Sequence, residues 1–137
     1  MIDMRYESLD TNIVLRALVK DVPNQTVLVD ALLKKRLVRF FVSDVAVFES
    51  VYTLETYYRL QREQICALLT NFLLRHNIAC NHELIQSALT HYRARKSLSY
   101  ADCYLAASAR FMNAPPLWTF DKALAKSIPD AQLVGCQ

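Results

Sequence analysis

Short apolar segments alternate with helix-patterned ones along this chain, and no hairpin turn signal separates any two of the strand-like segments. Strands joined only through helices cannot pair as hairpins, so they are expected to run parallel and to be covered by helices. The expected class is therefore α/β, a three-layer α/β/α arrangement around a short central parallel sheet. The chain has 137 residues, 53% of them hydrophobic, which is enough for a core within one domain spanning 1–137. There are no internal repeats or linkers.

The chain holds a single glycine, Gly135. Loops that cradle phosphate groups depend on several glycines, so P-loop and dinucleotide-binding readings are excluded together. The strand-like segments are Met4 to Leu9, Leu37 to Val42, Leu117 to Phe120 and Ala131 to Val134. Helical patterns fill the intervals. Ile13 to Val19 is followed by Gln25 to Lys35, with Asn24 as its expected cap and Val27, Leu28, Ala31 and Leu32 as its apolar face. Asp44 to Tyr57 places Val47, Phe48, Val51, Tyr52 and Leu54 on one face; Arg62 to Arg75 does the same with Ile65, Leu68, Leu69, Phe72 and Leu73. His82 to Arg95 follows a capping Asn81, and Tyr100 to about Met112 follows Ser99, whose spacing to Asp102 is that of a capping box. Asp121 to Lys126 is a last short helix.

The net charge of +3 permits contact with RNA without arguing for it. Two basic clusters close helices: Lys34, Lys35 and Arg36, and then Arg93, Arg95 and Lys96. Each is open between complementing a helix dipole and gripping a phosphate backbone. Cys66, Cys80, Cys103 and Cys136 show no C-x-x-C spacing and read as free thiols in a reducing cytoplasm, with no zinc site. His76, His82 and His91 lack ligand or catalytic spacing. No apolar run approaches the length of a membrane span and no signal-peptide core is present, so a cytoplasmic protein without membrane contact is expected.

Three carboxylates, Asp10, Asp102 and Asp121, fall at the starts of helices, and Asp10 and Asp121 directly follow strands. Each could be an ordinary cap or first-turn acid. In open parallel sheets, however, the carboxyl ends of strands are where sites form. Glu49 lies just off the apolar stripe of its helix, where either a solvated or a partly buried carboxylate fits; Glu55 competes for the same role. Carboxylates brought to about 5 Å repel by roughly 3 kcal/mol per pair at an effective dielectric near 20. Such a cluster needs a cation, and hard oxygen ligands select Mg²⁺ or Mn²⁺.

Leu9-Asp10-Thr11-Asn12-Ile13-Val14-Leu15-Arg16, Val42-Ser43-Asp44-Val45-Ala46-Val47-Phe48-Glu49, Tyr100-Ala101-Asp102-Cys103-Tyr104-Leu105-Ala106-Ala107 and Thr119-Phe120-Asp121-Lys122 occur in that order. Together they resemble the ordered motifs of PIN-domain nucleases, above all the toxin half of VapBC-type toxin–antitoxin pairs. The resemblance spans nearly the whole chain. It implies a metal-dependent endoribonuclease in which Asp10, Glu49, Asp102 and Asp121 bind Mg²⁺ or Mn²⁺, with Asn12 and Thr119 as polar companions. It also implies RNA as substrate, a cognate antitoxin and a homodimer. Arg93, Arg95 and Lys96 are the candidates for holding RNA. Arg5 and Glu7 depart from the apolar first strand usual in the family. Two other readings stand beside this one: a haloacid-dehalogenase-type phosphatase, which would need an Asp where Asn12 stands, and a catalytically silent PIN scaffold acting as a binding or regulatory subunit.

Overall fold

A computed structural model describes residues 3–135; Cys136 lies outside them. The chain divides into two compact units, Met1–His82 and Glu83–Gln137. The architecture is α/β, and every described strand pairing is parallel.

The first unit runs β1 (Arg5–Ser8), α1 (Thr11–Leu18), α2 (Pro23–Leu33), β2 (Val38–Phe41), α3 (Asp44–Thr56), α4 (Arg62–Leu73) and β3 (Ile78–Ala79). The strands form one ladder in the order β1-β2-β3, with Arg5 opposite Val38 and Phe40 opposite Ile78. Two helices fill each crossover, as parallel pairing demands. Val14, Val42, Val47, Leu54, Ile65 and Leu69 are fully buried and make the core around Phe40 and Ile78. The charges in β1 sit on the outer strand of this ladder. There Glu7 is held by Lys35 Nζ, 3.1 Å away, and lies 3.6 Å from Arg5.

Several expectations fail in detail. Helix α2 begins at Pro23 rather than behind an Asn24 cap, because proline at the first helical position has no N–H to leave unsatisfied. Its buried residues are Val29 and Leu33, whereas Val27 and Leu28 are 67% and 69% exposed. The helix is apolar on more than one side, so its periodicity does not choose the face. On α3, likewise, Ala46, Val47, Ser50, Val51 and Leu54 are buried, and Phe48 and Tyr52 are exposed. Strand β3, two residues long, has no counterpart among the expected strands. Asn81 directs its amide to both carboxylate oxygens of Asp44, at 3.1 and 3.2 Å.

The second unit contains α5 (His82–Ala94, whose first residue closes the first unit), α6 (Tyr100–Phe111), β4 (Leu117–Thr119), α7 (Lys122–Ser127) and β5 (Ala131–Leu133). Strands β4 and β5 pair in parallel, Leu117 opposite Ala131, around the short α7. Tyr92 and Tyr100 meet edge to face at 5.8 Å between ring centroids and help to bury the α5–α6 corner. The capping box at α6 forms as its spacing predicts: Ser99 Oγ accepts from the Asp102 amide at 3.1 Å, and Asp102 Oδ2 accepts from the Ser99 amide at 3.2 Å.

Candidate functional site

In the first unit the chain leaves β1 at Ser8 and enters α1 at Thr11, which puts Asp10 at the carboxyl end of a parallel strand and at the N-cap position of a helix. A cap residue in this extended conformation ordinarily turns its side chain onto the first free amides. Asp10 does not: its carboxylate makes no capping hydrogen bond and is exposed. It lines a cleft of about 480 Å³ together with Thr11, Asn12 and Glu49. Glu49 comes from the second turn of α3, whose start is fixed by Ser43 Oγ, which accepts from the Ala46 amide at 3.1 Å. Thr11 Oγ1 donates to Glu49 Oε1 at 2.6 Å. Glu49 and not Glu55 lines this cleft.

The far wall is a polar network that sequence reading missed. Arg16 donates from Nη1 to Asp21 Oδ1 at 2.8 Å and to the Tyr58 hydroxyl at 3.1 Å, and from Nε to Gln25 Oε1 at 2.8 Å. Tyr58 in turn donates to Asp21 Oδ2 at 2.9 Å. Arg16 is held more firmly in its charged form by the Tyr58 hydroxyl and, further, by Asp21. The carboxylate of Asp21 is thus already neutralised, whereas those of Asp10 and Glu49 face no cation in any described ion pair. The one signal in the sequence is the position of Arg16 in the second turn of the helix after Asp10; Tyr58 lies 37 positions from Asp21.

In the second unit both aspartates serve their helices. Asp102 completes the Ser99 capping box, and Asp121 Oδ1 accepts from the amides of Ala123 and Leu124 at 2.8 and 3.1 Å. Thr119 Oγ1 accepts from the Asp121 amide at 2.9 Å and so fixes the turn that follows β4. Of the basic cluster, Arg93 and Lys96 are exposed, but Arg95 is engaged within the unit. It donates from Nε to the Ser127 carbonyl at 3.1 Å, and its Nη1 lies 3.0 Å from His91 Nδ1. Burial, with Arg95 and Arg110 nearby, holds His91 below the ordinary histidine range, so the imidazole is neutral and can accept from Arg95.

Among the described residues, no three His, Cys, Asp or Glu side chains are gathered closely enough to hold a metal ion on their own. The donor chemistry of the first-unit cleft nevertheless suits a hard cation. Its free donors are oxygens of Asp10, Glu49 and Asn12, and no histidine or cysteine lines it. Mg²⁺ is commonly held by one or two carboxylates while keeping several waters.

A parallel α/β chain with carboxylates at the carboxyl ends of its strands belongs among proteins whose sites form at that sheet edge. More narrowly, the chain belongs to the PIN-domain family, whose model matches residues 8–127 and so takes in all four acidic motif positions. PIN domains are generally nucleases. No curated protein matches the chain. Among solved structures it is similar to a chain in the crystal structure of VapBC2 from Rickettsia felis bound to a DNA fragment from their promoter. The two share 23% identity over 95% of this chain and 97% of that one, with a TM-score of 0.38. No described helix is long and apolar enough to cross a membrane.

Proposed function

We propose that this chain is a metal-dependent endoribonuclease, the toxin component of a type II toxin–antitoxin pair, working in the cytoplasm as one PIN-like domain over 1–137. The observation that carries the reading is Asp10. It occupies a capping position, makes no cap bond, and lines a cleft with a second carboxylate, Glu49. An aspartate with only a structural role would be expected to bond the helix amides it sits beside. In this reading Asp10, Glu49, Asp102 and Asp121 bind Mg²⁺ or Mn²⁺, which would supply an activated water for in-line attack and offset charge on the leaving oxygen. Thr11 fixes the rotamer of Glu49, and Asn12 offers an amide to a phosphate oxygen or a water. Thr119 holds the backbone of Asp121. Arg93 and Lys96 take RNA phosphates; Arg95 contributes through its hold on Ser127.

A partner is part of the proposal. Val45, Phe48 and Tyr52, spaced along α3, are 66%, 42% and 63% exposed. An apolar stripe of that kind suits the tail of an antitoxin or a second copy of the chain. Light scattering of the pure protein and copurification with a co-encoded protein check this: a monomer indifferent to any such protein would count against it.

The activity is tested with purified protein and end-labelled RNA. Cleavage is expected with Mg²⁺ or Mn²⁺, absent with chelator and in Asp10→Asn, with products bearing 5′-phosphates. Products ending in a 2′,3′-cyclic phosphate would overturn it, because that route uses the neighbouring 2′-hydroxyl. The alternative, a silent PIN scaffold acting as a binding or regulatory subunit, draws on the capping work of Asp102 and Asp121. It predicts RNA or protein binding with no cleavage under any metal.

A further inference from the structure

At the opposite end of the first unit's ladder from Asp10, a second cleft of about 410 Å³ opens where α2 turns into β2 and α4 into β3. Lys34, Lys35, Arg36, Arg39 and His76 line it, and no carboxylate does. Cations at the end of a helix often do no more than answer its terminal carbonyls. Here those carbonyls are already satisfied. The Lys34 amide donates to the Ala31 carbonyl at 3.3 Å, the Lys35 amide to that of Leu32 at 3.0 Å, and Asn77 Nδ2 to that of Leu33 at 2.8 Å.

The four cations divide by role. Lys35 is committed to Glu7, reaching both of its carboxylate oxygens at 3.1 Å. Arg39 is half-buried on β2: it donates from Nη2 to the Ile78 carbonyl at 3.2 Å and lies 6.0 Å from the centre of the Tyr6 ring, while its buried Nε finds no partner among the described residues. Arg39 lines the cleft with its guanidinium fixed at one end by that carbonyl, and a planar cation held in one orientation is a good anchor for an oxyanion. Lys34 and Arg36 are exposed and have no ion pair among the described residues. Between them and β2, Leu37 takes a left-handed conformation, φ 60°, which turns the chain sharply after the cations.

We propose that this cleft is a nucleic-acid backbone site, with Arg39 as its fixed anchor and Lys34 and Arg36 as its mobile arms, holding phosphates of a single strand remote from the carboxylate cleft. The choice of RNA as the strand rests on the proposed nuclease activity; the presence of the site does not.

The test uses the full chain in chelator, where cleavage is not expected, and a labelled single-stranded oligoribonucleotide titrated across a range of salt. Each single-strand phosphate that the protein ceases to neutralise lowers the slope of log K against log salt by roughly 0.7. Lys34→Ala with Arg36→Ala should therefore reduce the slope by about 1.4 and weaken binding about 25-fold near 0.1 M salt. Both side chains are exposed, so the double variant is expected to keep the wild-type melting temperature. Asp10→Asn, by contrast, removes no cation and should keep the wild-type salt slope in chelator while losing cleavage. Failure of the nuclease reading is thus seen in the cleavage assay alone. An unchanged slope in the double variant, no RNA binding by the wild type, or binding of inorganic phosphate with no advantage for the oligomer would each overturn the proposal.

Discussion

Thr11 and Glu49 are joined by a 2.6 Å hydrogen bond, the hydroxyl of the first residue of α1 donating to a carboxylate on α3, 38 positions away. The bond ties together the two helices that flank the carboxylate cleft and leaves Glu49 one oxygen free. Removing an oriented partner of a metal-binding carboxylate typically costs 10–100-fold in metal affinity or activity. Thr11→Val is therefore expected to lower Mn²⁺ affinity and turnover by about tenfold or more, with Thr11→Ser restoring most of it. Calorimetric titration with Mn²⁺ reads the first effect; equal affinities in all three proteins would show that Thr11 does not position Glu49.

Asp10→Asn separates a ligand from a cap by stability alone. Asp10 makes no capping bond, so asparagine takes no structural role away. It does remove a negative charge from beside Glu49, and the melting temperature in chelator should rise. Saturating Mg²⁺ at a hundredfold excess over Kd should stabilise the wild type by about 2.7 kcal/mol and the variant much less. Equal responses to Mg²⁺ would exclude Asp10 as a ligand.

Asp121 carries a cap as well as its proposed function, and two substitutions pull these apart. Asp121→Ala loses both cap bonds to Ala123 and Leu124 and should cost about 1 kcal/mol in a urea titration. Asp121→Asn keeps the cap and should be nearly neutral. Both are expected to abolish cleavage; activity that follows stability instead would assign Asp121 to structure.

Acid should weaken the fold through His91. Its folded value lies below the ordinary 6.5, chiefly from burial and then from Arg95 and Arg110. The unfolded chain therefore takes up this proton first as pH falls. Stability from this group is intact above 6.5 and declines as pH drops from there through the folded value. His91→Gln, which retains a neutral acceptor for Arg95, should lose less stability than wild type between neutral and mildly acidic pH. Parallel melting curves for the two proteins would refute this origin.

Cys80 should be a slow nucleophile. Burial, with Asp44 nearby, pushes its thiol up to about 11, so little thiolate exists at neutral pH. Mass spectrometry after iodoacetamide treatment is expected to find Cys80 modified far more slowly than a free thiol of ordinary acidity; rapid alkylation of the folded protein would contradict the burial.

Local chemistry was readable in advance where it was truly local. The Ser99–Asp102 capping box needs only spacing, as does Asp121 at the start of α7, and both formed. The face of α2 was not readable: Val27 and Leu28 fit the pattern as well as Val29 and Leu33, and only contacts distant in sequence decide between them. Strand β3 is too short to carry a period. At the site, Asp10 and Glu49 could be picked out by their motifs, but the Thr11–Glu49 bond and the Tyr58–Asp21 bond join residues far apart in sequence and leave no local trace.

The pairing of Arg16 with Asp21 sets what the cleft looks like to an approaching polyanion. Asp10, Asp21 and Glu49 would otherwise present three negative charges, but Arg16 cancels one of them within the wall itself. A phosphodiester could then settle against the cleft without the further repulsion that an uncancelled Asp21 would impose; Arg16→Gln should therefore cost affinity for RNA even though Arg16 need never touch it.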